Sequence, residues 1–345
     1  DAAYLHHLAQ GRFRIQQCGA CARHVFYPRV ACPHCGSADL RWMDASGQGT
    51  VHACSVVMGK PGTGTDYAIV LVDLDEGVRM MGRVREHRHA RAGPHRGAGR
   101  QAARGLRSPR RGRCAMSLQQ LRGKAAIVGV GHAGIGEATG FSAMEILGQA
   151  ALAAVADARL TLRDIDGLAT CSSAASMWAL PVIEHLGIRP TFIDSTMLGG
   201  SSFIAHLMPA MLALESGQCN AVLVCYGSTQ KTGTFSRKAM SEAFRLIDPL
   251  PYEHPYAPIQ PLTSYALAAS RHMHEFGTTR EQLAEVAVAA RRWAQLNPEA
   301  VMREPLSIDD VLSARMVSTP LTVRDCCLVT DGAGAFVLMR ADRAK

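Results

Sequence analysis

No apolar run in this sequence approaches the ~20 residues that a membrane-spanning helix needs. The opening residues, Asp1-Ala-Ala-Tyr-Leu-His-His, lack the basic start and apolar middle of a secretory signal. The chain does not begin with Met, so its true start is expected to lie upstream. Aromatic residues are scarce, at 6%. The cysteine-rich beginning has few of them on which to stack bases. Acidic residues are nearly absent from one stretch, where ten Arg between Arg85 and Arg113 meet the single acid Glu86. That stretch holds +9, against +8 for the whole chain, so the remainder sums to −1. The basic character is one segment, not a surface-wide field, which weakens a nucleic-acid reading. Residues 85–115 also lack large aliphatics apart from Leu106, so they cannot bury a core and read as a disordered linker. Their Arg, Ala, Gly, Pro and His are equally what GC-rich codons yield out of frame. On that reading the preceding β-barrel is cut short and Met116 is the original start of a following protein.

What is present is globular: 345 residues, 48% hydrophobic, enough for two or three domains. Eleven cysteines include four in paired C-x-x-C spacing, a pattern that fits a reducing compartment with one metal site and hence a cytoplasmic protein. Composition divides the chain at 1–46, 47–84, 85–115 and 116–345, the last with an inserted loop region at about 228–315. Thr50–Val57 and Tyr67–Leu74 alternate as strands, with Lys60-Pro-Gly-Thr-Gly-Thr as the loop between them. From Lys124 the pattern is α/β. Ala125–Gly131 reads as a buried strand, and Ser142–Ala158 as a helix with Met144, Leu147, Ala151, Leu152 and Val155 on one face. Strands follow at Thr191–Asp194, Ala221–Tyr226 and Ala333–Met339. Helices follow at 201–215, 263–276, 280–296 (capped by Thr279) and after Ser307.

Cys18-Gly-Ala-Cys21 and Cys32-Pro-His-Cys35 are two knuckles ten residues apart. Each places two thiolates on one side of a tight turn. Two facing knuckles close a tetrahedral four-sulfur zinc site with no open position, which makes it structural. His24 and His34 lie nearby but are not needed as ligands. The order of ribbon, Trp42–Val51, strands and Val72–Met81 resembles the zinc-ribbon/OB-fold proteins that accompany thiolase-like enzymes and help bind acyl-CoA. The resemblance covers about 11–84 and implies a partial OB-like β-barrel without its last strands.

Gly129-Val-Gly131-His-Ala-Gly134 matches a dinucleotide-binding fingerprint, but the helix starts only near Ser142 and no second strand ends in an acid about twenty residues on. The same stretch, with Leu160–Leu168, Gly199-Gly-Ser-Ser-Phe, Glu215–Val224 and Asp325–Ala335, resembles the sterol-carrier/lipid-transfer branch of the thiolase-like superfamily over about 122–345. That implies an α/β thiolase-like half-fold, preceded by the small zinc ribbon and partial barrel, with the second half absent from this chain. The family's nucleophilic Cys stands at a helix N-terminus. Here that position falls at Gly199 or Gly200, and no Cys lies between Asp194 and Leu214. Ser201 and Ser202 are candidate nucleophiles or caps, and Cys219 and Cys225 read as buried structural thiols. The Cys-less branch resembles aldolase-like partners in steroid side-chain degradation, where tyrosine could act. Tyr252, Tyr256 and Tyr265 are visible candidates. The resemblance therefore implies an acyl-CoA-handling protein, acting by acyl transfer or retro-aldol cleavage on a lipid or steroid acyl-CoA. Its ligands are structural zinc and a coenzyme A thioester, and its partner is a second copy or a thiolase-like subunit. This chain is expected to be incomplete and inactive alone. The alternatives are a nucleic-acid-binding zinc-ribbon protein and a non-catalytic scaffold subunit.

Overall fold

The computed structural model describes residues 2–84, 121–172, 175, 177–233 and 253–344. The Arg-rich stretch 85–115, Met116, Tyr252 and positions 234–251 of the inserted region lie outside the described residues. Helix α1 (Ala2–Ala9) leads into β1 (Arg14–Cys18), β2 (His24–Val25) and β3 (Leu40–Asp44), a small antiparallel sheet in the order β2-β1-β3. An antiparallel meander follows: β4 (Gly49–Val57), β5 (Tyr67–Leu74) and β6 (Arg79–Val84). Gly77, at a φ of 80°, turns β5 back into β6.

Further along lie β7 (Ala125–Gly136), α2 (Ala143–Asp157), β8 (Gly167–Ala169), α3 (Ala179–Leu186) and β9 (Phe192–Asp194). Then come α4 (Ser202–Ala205), α5 (Leu207–Glu215) and β10 (Ala221–Ser228). The last stretch holds α6 (Leu262–Phe276), α7 (Arg280–Leu296), α8 (Ile308–Leu312), β11 (Met316–Ser318), β12 (Leu321–Thr322) and β13 (Asp331–Arg340).

The chain divides into two compact units. The described residues of the first are 2–84 and 253–327, and those of the second are 121–172, 175, 177–233 and 328–344. In the first unit the meander is widened by two strands from far down the chain, in the order β12-β11-β4-β5-β6. The joint is tight. Thr319 donates its backbone N–H to the Val56 carbonyl at 3.0 Å, and Met58 donates to Val317 at 2.9 Å. The buried Ser55 and Ser318 hydroxyls meet at 2.7 Å. Helix α6 packs across β4, with Leu267 entering the cluster of Ala53, Val57, Ile69 and Met81. Arg271 of α6 pins it there by donating to the His52 carbonyl at 3.2 Å while pairing with Glu275 at 2.6 Å.

The second unit is a five-stranded sheet, β7-β13-β10-β8-β9, between two helical layers. Strands β7, β10, β8 and β9 run in one direction, and β13, between β7 and β10, runs antiparallel to both its neighbours. Helix α2 covers one face and α5 the other. The Ser142 capping box starts α2 one residue inside the expected span. Its buried face differs from the expected one. Leu147, Ala151 and Val155 are buried, but Leu152 is 53% exposed, and Ile146, Ala150 and Ala154 complete the packed side. The helix is apolar nearly all round, so several faces satisfy the same spacing and the sheet decides among them. The helix expected over 201–215 breaks at His206, because Pro209 has no N–H for the Ala205 carbonyl.

The fingerprint glycines lie inside β7. A Cβ on Gly129 would come within 2.2 Å of the Ala154 carbonyl, and one on Gly131 within 2.4 Å of the Ala154 nitrogen. They allow a strand and a helix to touch and present no pyrophosphate-binding turn.

Candidate functional site

The metal centre is built by two copies of one turn. In the first knuckle Ala22 donates to the Cys18 carbonyl at 2.8 Å, and Cys18 donates to Arg23 at 2.9 Å. In the second, Gly36 donates to Cys32 at 2.8 Å and Cys32 to Ser37 at 2.8 Å. The fifth residue of each turn takes a positive φ, 59° at Ala22 and 77° at Gly36. The four sulfurs lie within 4.8 Å of one another, with Cys18–Cys35 and Cys21–Cys32 at 3.6 Å. A tetrahedron with Zn–S bonds of about 2.3 Å has edges of about 3.8 Å. The cluster therefore fits a structural zinc held by Cys18, Cys21, Cys32 and Cys35, with no place for a substrate. Burial opposes ionisation of Cys18. The backbone N–H groups of Cys21 and Ala20, with the neighbouring thiols, outweigh it and bring the thiol down to about 7. His24 turns away to the Glu76 carbonyl at 2.9 Å, and His34 lies 3.4 Å from Arg23. Neither joins the shell.

In the second unit, β9 ends at Asp194 and runs through an exposed turn into α4. Gly199, at a φ of 74°, and Gly200 form that turn. Ser202 is fully buried and closes it, accepting from the Leu198 N–H at 2.8 Å and donating to the Gly199 carbonyl at 2.7 Å. Its hydroxyl is thus already committed. Ser201 is exposed and caps no helical N–H. Sequence reasoning missed a pair beneath the turn. The wholly buried His206 places Nδ1 2.9 Å from the Asp194 carboxylate, and its Nε2 has no hydrogen-bond partner among the described residues. Burial pushes the Asp194 carboxyl up, but hydrogen bonds from His206 and Thr196 outweigh it and hold it below the usual range. The only signal in the sequence is a lone histidine in the otherwise apolar stretch 203–214.

Cys219 and Cys225 are each 1% exposed. Burial pushes their thiols up to about 11 and about 12, so both are packing groups. Tyr256 and Tyr265 belong to the first unit, whereas the Gly199–Ser202 turn belongs to the second. Tyr256 packs against the cluster around Ile69 and Met81, and Tyr265 is 66% exposed on α6. Between the meander and α6 runs an open groove of about 510 Å³, floored by Ala53, Leu71, Met81 and Leu267. That size is usual for small-molecule clefts. No described helix is long and apolar enough to cross a membrane.

A closed four-sulfur ribbon, an OB-type sheet and a thiolase-like α/β layer define the class. Residues 6–41 match the ChsH2 rubredoxin-like zinc ribbon domain, and 42–94 the ChsH2 C-terminal OB-fold domain. The 17-hydroxy-3-oxo-4-pregnene-20-carboxyl-CoA lyase of Mycobacterium tuberculosis is 31% identical over 231 residues, spanning 65% of this chain and 60% of that protein. A steroid side-chain-cleaving aldolase of Thermomonospora curvata is 32% identical, over 66% of this chain and 60% of that one. Chicken sterol carrier protein 2 is 35% identical over 89 residues, 26% of this chain and 16% of that protein. Among solved structures, an Ltp2-ChsH2(DUF35) aldolase superposes with a TM-score of 0.57 at 31% identity, over 65% of this chain and 57% of that one. A sterol-carrier-type thiolase-like protein of Mycobacterium smegmatis shares the fold, with a TM-score of 0.51 at 21% identity over 64% of this chain and 46% of that one. The protein thus joins a ChsH2-type zinc ribbon and OB-fold to a thiolase-like segment. It spans about 60% of the length of the steroid-cleaving relatives.

Proposed function

We propose that this protein handles a lipid or steroid acyl-CoA thioester, and that the chemistry is retro-aldol cleavage and not Claisen-type acyl transfer. One observation supports the choice: no Cys lies between Asp194 and Leu214, where the resemblance puts the thiolate that acyl transfer needs at Gly199 or Gly200, and the thiols of Cys219 and Cys225 are buried. Retro-aldol cleavage needs no covalent intermediate. A base takes the proton of the β-hydroxyl, the Cα–Cβ bond breaks, and hydrogen-bond donors stabilise the departing thioester enolate until it is protonated. Tyr265, exposed on α6, and Tyr256 are the candidates for such roles on this chain, with the groove beside α6 as a resting place for an acyl portion. The relatives named as a lyase and as a steroid side-chain-cleaving aldolase support the reading. The ribbon and OB-fold, whose ChsH2 counterpart stands with Ltp2 in the solved Ltp2-ChsH2(DUF35) aldolase, act here as a partner carried on the same chain. The expected assembly is a homodimer or a complex with a thiolase-like subunit.

Equilibrium dialysis of the purified full chain against a labelled β-hydroxyacyl-CoA tests the reading. Saturable binding, displaced by free coenzyme A and unaffected by added oligonucleotide, is expected. Binding to oligonucleotide that falls steeply with salt, with no uptake of the thioester, would replace it with a nucleic-acid-binding function.

A further inference from the structure

Helix α7 is apolar on two opposite sides. On its inner side Ala284 and Val288 are buried with Val311 of α8, and Ile308 and Leu312 pack around them. The other side carries Leu283, Val286, Ala290 and Trp293, at steps of three, four and three. That is the spacing of a coiled-coil seam. The seam faces outward: Leu283 is half-buried and Ala290 exposed, while Val286 is 69% and Trp293 74% exposed. A surface helix ordinarily turns charge toward water. Here charge is displaced to the flank, where Arg292 donates to Glu285 at 3.3 Å across two turns. A contiguous apolar stripe of this kind marks an interaction surface, and Trp is prominent among the residues that carry binding energy.

The order of the flanking charges says what covers it. Glu285 comes first and Arg292 seven residues later, on the same edge of the seam. A second copy laid antiparallel about Ala290 brings Val286 of each copy against Trp293 of the other. It sets Ala290 against Ala290, where small side chains let the helices approach. It also places Glu285 of each copy beside Arg292 of the other. Parallel pairing would put like charge on like. The helix is therefore self-complementary in the twofold sense.

We propose that the outward seam of α7 is a docking surface for a second copy of this chain, paired antiparallel with Trp293 of each copy packed on Val286 of the other. Apolar burial supplies the attraction. The charges set the direction, because exposed ion pairs contribute little strength. With 17 residues the helix is about 25 Å long, and alone it covers less than the ~800 Å² per partner of a standard interface, so the pairing is weak and reversible. This gives the homodimer of the function proposed above a surface, but it needs no acyl-CoA binding.

Sedimentation equilibrium of the full chain tests it. A concentration-dependent dimer is expected, and Trp293→Glu should raise its dissociation constant at least about tenfold with an unchanged thermal melt. A chain that stays monomeric, or a dimer that Trp293→Glu leaves as tight as before, would overturn the proposal. Charge reversal at low salt reads the direction, and it decides alone if Trp293→Glu melts early. Glu285→Arg and Arg292→Glu should each weaken the dimer about threefold, and the double variant should restore it. Single variants as tight as the parent, or a double variant as weak as the singles, would overturn the antiparallel pairing. The dialysis described above, run on the same proteins, keeps the two readings apart: a dimer that takes up no thioester would remove the acyl-CoA reading and support this one.

Discussion

A side chain on Gly200 would meet nothing within 4 Å, and no positive φ forbids one. The missing thiol is therefore a property of the residue and not of its packing. Gly200→Cys should fold with stability within about 0.5 kcal/mol of the parent. Its exposed thiol should react with iodoacetamide well before Cys219 or Cys225. A large loss of stability, or an introduced thiol as inert as those two, would mean that the turn is not the open site described here. Asp331 is the opposite case. It is 2% exposed and accepts from the N–H groups of Ala138, Lys231 and Thr232 and from the Thr232 hydroxyl. Burial pushes its carboxyl up, but those donors outweigh it and hold it below the usual range. A carboxyl with a lowered folded pKa stabilises fully above its unfolded value of about 3.9. That contribution fades as pH falls below it toward the folded value. Asp331→Asn, which turns an NH₂ toward donors, should cost about 3 kcal/mol at neutral pH. In thermal melts the gap from the parent should shrink below about pH 4. A gap of equal size at pH 3 and pH 7 would refute the assignment. At this scale the zinc ligands were legible, because C-x-x-C spacing is itself the geometry of a knuckle. The Asp194–His206 pair was not, because eleven residues of turn and helix separate partners that only the fold brings together.

Strands β11 and β12 matter most among the elements, because they join the meander to a segment more than 200 residues away. Each is only two or three residues long and carries no alternation to read. Their existence depends on the β4 edge beside them, which is why the sequence shows only a partial barrel. Helices α7 and α8 were plain, because Thr279 and Ser307 cap them with capping boxes that are local in sequence. The Ser55–Ser318 contact measures the joint. Ser55→Ala leaves a buried hydroxyl without its partner and should cost about 1–3 kcal/mol. Ser318→Ala should do the same, and the double variant should cost clearly less than the sum. Denaturant titration of the four proteins reads the coupling. Strict additivity would show that the two hydroxyls do not depend on each other.

For the whole molecule, the class was legible because the ribbon, the barrel start and the thiolase-like segment each carry motifs in order. The regrouping of 253–327 with the N-terminal residues was not, since nothing local to either stretch announces the other. Two units, one with a closed metal site and one with a thiolase-like sheet, lead to one central claim: acyl-CoA chemistry without a thiolate nucleophile. Intact-mass analysis of the full chain after incubation with acetoacetyl-CoA tests it most directly. The account predicts no acyl adduct on any residue and carbon–carbon cleavage of acetoacetyl-CoA at background, with Cys219→Ala and Cys225→Ala indistinguishable from the parent. A stoichiometric acyl adduct that maps to Cys219, Cys225, Ser201 or Ser202, with turnover lost when that residue is replaced, would contradict it.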